Sequence, residues 1–164
     1  MKKHNVLIIL FPIILILLSA TNLLAQEKPI QLALFNPIQI FPENTSIAGL
    51  RINLIYGKNA SVTGLDWGFV NSTTGIQKGV QFGFVNLTDG GVTGWQHGFV
   101  NVSKGNSLGL QSGGICWHQG HFNGLQFSVV NYAATLEGIQ IGLINIIGSG
   151  GFMPVFPIFN FDLD

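Results

Sequence analysis

Cys116-Trp-His118-Gln-Gly-His121 is the cluster in this chain whose residue types suit metal or thiol chemistry. A Cys and two His placed two and five positions on could share a zinc ion, but a tetrahedral site needs a fourth ligand. Only His97 is placed to supply one, and only if the fold brings it near. A Cys beside a His is also the minimal nucleophile and base. No third orienting group and no oxyanion pocket accompany the pair. Cys116 stands where equivalent segments carry Asn, so it reads as a small buried substitute, with His118 and His121 in a surface turn. The sequence therefore assigns no catalytic residue, no metal ligand and no cofactor, and it leaves any binding residues open.

Two further sets of residues invite a chemical reading. Asp66, Gln81, Gln96, Gln111, Gln126 and Gln140 recur at near-constant spacing. Evenly spaced amides on a rigid sheet suit an extended ligand such as a glycan, or simply an uncharged solvated or stacked face. Asn-x-Ser/Thr occurs at Asn44, Asn59, Asn71, Asn86 and Asn101. Three of those five arise where a recurring Asn meets a Ser/Thr-rich turn, so they are by-products of a repeat and not glycosylation sites.

That repeat is what must position every one of these side chains. Six blocks read Gly, apolar, Gln or Asp, any, small, apolar, Val or Ile, then usually Asn. They begin at Gly64, Gly79, Gly94, Gly109, Gly124 and Gly138, with a looser copy at Gly49. The steps are 15 residues, except for a final 14. Within Gly79–Asn86, Val80, Phe82 and Phe84 share one face, and Gln81, Gly83 and Val85 share the other. That is period two, the signature of a strand. Gly-, Asn-, Asp- and Ser-rich turns separate the blocks at 72–75, 88–91, 103–106 and 148–151.

An all-β chain follows, and two architectures fit it. The first is a β-solenoid of about seven 15-residue repeats with capping ends. Like residues would stack at about 4.8 Å, the asparagines would form a ladder, and the repeat glycines would take positive φ at corners. The alternative is an eight-stranded antiparallel outer-membrane β-barrel with its apolar face on lipid and Gln and Gly in the lumen. A barrel repeats by hairpins, two strands at a time, whereas the unit here is one strand, which favours the solenoid. In the solenoid the apolar face is expected to form the core, so that Asp at Phe84 or Phe99 would bury an unpaired charge and cost several kcal/mol.

Composition narrows the function class. Charged residues make up 9% of the 164 and formal net charge is zero, so no basic surface is available for nucleic acid. The single Cys, Cys116, can form no internal disulfide. Residues 1–25 read as a signal peptide: Met1-Lys2-Lys3, an apolar run over 6–18, then small residues up to Ala25. Residues 26–48 and 149–164 read as caps or closing segments around an array at 49–148. Both are apolar with spaced prolines, which discourage a free edge from recruiting another chain.

The blocks, with the preceding Gly49-Leu-Arg-Ile-Asn-Leu-Ile-Tyr56 and the closing Pro-Val-Phe-Pro-Ile-Phe-Asn-Phe, resemble the exported surface-repeat proteins of Gram-negative bacteria, whose units look like Gly-Leu-Gln-Ile-Gly-Leu-Val-Asn. The resemblance covers roughly residues 29–161. It implies export and an envelope, outer-membrane or cell-surface location, with partners among envelope components, and it brings no activity and no functional residues. The expectation is a non-enzymatic protein with a structural or surface-interaction role. Two blocks depart from the pattern. The Gly109 block has Gly114 and Cys116, and the Gly124 block has Ser128, which puts the regular ladder in question over 112–128.

Overall fold

The computed structural model describes residues 27–163. The expected signal peptide, residues 1–25, lies outside them. The described chain is all β, without a helix. Its strands are β1 (Lys28–Phe35), β2 (Ile38–Gln39), β3 (Ile47–Asn59), β4 (Val62–Thr73), β5 (Gln77–Thr88), β6 (Val92–Ser103), β7 (Ser107–Ser149) and β8 (Val155–Asp162). They lie in one sheet in the order β2-β1-β3-β4-β5-β6-β7-β8.

From β1 to β7 every neighbouring pair is parallel. Gly64 pairs with Gly79, Gly79 with Gly94 and Gly94 with Gly109, so each residue meets its counterpart one repeat on. This is a β-solenoid, not a barrel of up-and-down hairpins. It has about six turns, against about seven expected, because the seven leading glycines from Gly49 to Gly138 bound only six intervals. β7, 43 residues long, passes through Gly109, Gly124 and Gly138 without a break. The sheet reverses direction only at its two ends, where β2 and β8 pair antiparallel. β8 includes Pro157, which has no N–H to offer a further strand.

The leading glycine is dictated by the stack. Gly64, Gly79 and Gly94 have φ of 120°, 107° and 128°. A Cβ at any of them would also strike the carbonyl oxygen of the glycine one turn earlier. No L side chain satisfies both conditions at once.

The interior departs from expectation. Four columns of side chains point inward, and two of them are amides along most of their length. Gln81, Gln96, Gln111, Gln126 and Gln140 are fully buried, as are Asn71, Asn86, Asn101, Asn131 and Asn145. Phe84 and Phe99, assigned to the core from the sequence, are 48% and 56% exposed. The facing is inverted, and the reason is physical. Amides stacked at strand spacing satisfy one another along the axis, which removes the usual cost of burying them. Apolar side chains enter the interior singly at Ile47, Val62 and Val92, and they gather into a small cluster near the C-terminal end, where Phe122, Ala133, Leu136 and Ile147 meet.

Candidate functional site

The Gln column is a continuous hydrogen-bonded chain, and the Asn column is one from Asn53 to Asn101. In the Gln column, Gln96 Nε2 donates to Gln81 Oε1 (2.7 Å), Gln111 to Gln96 (2.8 Å), Gln126 to Gln111 (2.9 Å) and Gln140 to Gln126 (2.7 Å). The chain runs towards the N-terminus and ends on Asp66, which accepts from Gln81 Nε2 at 2.6 Å. Asp66 is held in turn by Arg51 through two bonds of 2.7 and 2.6 Å, with both side chains fully buried. The guanidinium fork suits a carboxylate bidentately. The Asn column runs the other way. Asn53 Nδ2 donates to Asn71 Oδ1 (2.7 Å), Asn71 to Asn86 (2.8 Å) and Asn86 to Asn101 (2.8 Å). The second amide proton of Asn71 goes to the Phe82 carbonyl and that of Asn86 to the His97 carbonyl. The recurring Gly three residues before Asn71, Asn86, Asn101 and Asn145 makes room for this. A Cβ at Gly83 would hit the amides of Asn71 and Asn86.

The Gln row is therefore not a docking surface. Its members are fully buried and donate to one another along the row, so no glycan laid along the outside can reach them.

Cys116 and His118 both point inward, in different columns. Cys116 occupies the Asn column and pairs with Asn101, whose Nδ2 lies 3.6 Å from Sγ. Burial pushes its thiol up to about 11, so it stays protonated at neutral pH and is a poor nucleophile. His118 is fully buried in the column that elsewhere carries Thr73, Thr88 and Ser103, not in a surface turn as the sequence suggested. Its Nε2 lies 3.1 Å from the His121 carbonyl. Desolvation lowers its pKa to about 4. The His121 ring turns away, with Nδ1 3.0 Å from Thr135 Oγ1 and Nε2 3.8 Å from Glu137. His97 faces the outside, where its Nδ1 lies 2.9 Å from Ser112 Oγ. Among the described residues no group of three His, Cys, Asp or Glu side chains is placed to hold a metal ion.

The ladder passes through the irregular stretch at 112–128 by a local exchange. Ser128 replaces the usual glycine, and its Oγ lies 2.6 Å from both Asn131 Oδ1 and the Val130 carbonyl oxygen. Cys116, shorter than Asn, leaves the room. Beyond it the column resumes, with Asn131 Nδ2 donating to Asn145 Oδ1 at 2.8 Å.

What sequence reasoning missed is the outside. Phe69, Phe84 and Phe99 stack in a row, ring centroids 5.2 Å apart and planes within 4° and 9°. Trp67 and Trp95 stand beside them and Trp117 lies beyond, all exposed by more than a third. Trp95 Nε1 and His97 Nδ1 converge on Ser112 Oγ, each at 2.9 Å. The signal is present in the sequence as an apolar column interrupted at Gly114, which hydrophobicity alone assigns to the core.

No protein-family model, no curated protein and no solved structure matches this chain. The fold and interior define its class without that help: a β-solenoid with two amide-laddered interior columns and an apolar outer surface.

Proposed function

We propose that the chain is a non-enzymatic, exported repeat protein of the bacterial cell envelope, located in the outer membrane or at the cell surface, with a structural or surface-contact role. The observation that carries this reading is the division of labour between inside and outside. Polar side chains that could do chemistry are mostly turned inward and paired with one another, whereas the outer surface is apolar and repetitive. Such a rod suits contact, not turnover. The basic start, apolar run and small residues at 1–25 support export, and the resemblance to exported surface-repeat proteins supports the envelope.

The test is to express the full chain in a Gram-negative host and fractionate the cells. The expected result is a processed chain beginning near Gln26, found in the envelope fraction. An unprocessed chain in the cytoplasm would overturn the proposal.

A further inference from the structure

Between its charged edges the outer surface of the solenoid carries five outward columns per turn, those of Leu65, Trp67, Phe69, Val70 and Ser72, and the coil turns a corner between the third and the fourth. In-out alternation slips by one at Phe69-Val70, Phe84-Val85 and Phe99-Val100, where two consecutive residues both remain uncovered. The columns of Trp67 and Phe69 therefore lie on one side, and those of Val70 and Trp117 on the next. From β4 to β7 no charged residue stands in any of the five columns. Charges gather instead on the turn edge, at Lys78, Asp89, Lys104 and Glu137.

We infer that this two-sided apolar wall is covered by the hydrocarbon of a lipid bilayer, with the solenoid seated in one leaflet, its Phe69–Phe99 corner deepest and its charged turn edge in water. The inference rests on the envelope reading above and names the partner.

Four observations favour lipid over a protein partner. The first is area. Among the described residues 31 large hydrophobic side chains are exposed by more than a third, and 15 of them stand in the five columns between β4 and β7. At about half exposure each leaves on the order of 80–100 Å² uncovered, so the wall presents on the order of 1,200–1,500 Å². The largest apolar patch of an ordinary monomer is about 300–600 Å², and each partner of a standard dimer buries about 800 Å². The second is shape. The wall turns a corner at Phe69-Val70 and its counterparts, and a second copy docked against one side leaves the other bare, whereas acyl chains conform to both. The third is polar pairing. The indole of Trp95 and the imidazole of His97 meet on the Ser112 hydroxyl, and the parallel ladder takes up the backbone groups, as a medium without hydrogen bonds demands. The fourth is ring geometry. The stacked phenyl rings spend their faces on one another and offer edges, which suits acyl chains better than sugar rings.

The chain supplies its own probes, because its three tryptophans, Trp67, Trp95 and Trp117, all stand in the wall and on both sides of the corner. The full chain, purified in detergent, would be transferred to neutral phosphatidylcholine vesicles with brominated acyl chains. Variants that keep one tryptophan each, the others changed to Phe, report position by position. The expected result is co-flotation with the vesicles and quenching of all three. The apolar run at 6–18 contains no tryptophan, so binding through it alone would leave emission unchanged. The variant F69S/F84S/F99S should lose about tenfold or more in vesicle partition while keeping its strand spectrum. Unquenched emission, quenching restricted to one side of the corner, or a detergent-free soluble dimer with a dry wall would each overturn the inference. Failure here leaves export untouched, since vesicles require none, and a cytoplasmic chain that still quenched would remove only the envelope reading.

Discussion

Cys116 and Ser128 are the two residues that break the repeat, and the structure makes them one exchange. A glycine hydrogen became a hydroxymethyl group at 128, and an amide became a thiol at 116. Each alone disturbs a filled interior. Cys116→Asn should crowd Ser128, and Ser128→Gly should leave a gap beside Asn131. Each is expected to cost about 1–2 kcal/mol. The double variant C116N/S128G rebuilds the standard rung and should recover most of that loss. Urea unfolding of the four proteins would reveal the coupling, and simple additivity would contradict the exchange. His118 supplies a second measurement at this scale. Its folded pKa is near 4 against an ordinary 6.5, so between those values the unfolded chain binds more protons. Its neutral form contributes stability in full above about pH 6.5. That contribution falls as pH drops and is gone below about 4, a loss of about 3 kcal/mol. His118→Thr, which matches the residue type of its column, should flatten this segment of the stability curve.

At the scale of the element, each strand is a pleat whose two faces have exchanged their usual roles. Gln96 accepts from Gln111 and donates to Gln81. Gln96→Leu therefore orphans one buried acceptor and one buried donor, at about 2–6 kcal/mol in total. Phe84→Asp, 12 residues away on the exposed face, should leave the strands folded in detergent solution and lower the melting temperature little. In a conventional core the order of the two effects would be reversed, so thermal melts of the pair test the facing directly. The sequence made the strands legible, because the alternation of Val80, Gln81, Phe82 and Gly83 is unmistakable. It could not say which face was inside. Hydrophobicity assigns Phe84 to the core by default, and only the stacking geometry shows that Gln81 has a better claim to it. The turns were legible for the same local reasons as the strands. The burial of His118 was not, because it depends on Ser103 on the neighbouring rung and on a turn of the coil that brings the Phe122 ring back against it.

Over the whole molecule, the stack is a sum of nearly equivalent rungs. Removing residues 77–91, one 15-residue unit, would set Gln96 on Asp66 and Asn101 on Asn71, pairs of types already present. The shortened chain should fold with a single transition and lower stability. Loss of strand content would show that the rungs are not interchangeable. The register was legible from the repeat length, and the one-strand unit favoured the solenoid over the barrel, while the identity of the candidate surface depended on the facing and so was hidden with it. The two amide chains also have an electrical consequence. Each aligned amide carries a dipole, and hydrogen-bonded amides polarise one another along a row. A single row would build up opposite partial charges at its two tips as turns were added. Here the Gln row donates towards the N-terminus and the Asn row towards the C-terminus, so their fields oppose and largely cancel. Length then carries no growing electrostatic penalty, and the rod is free to gain or lose turns over evolutionary time.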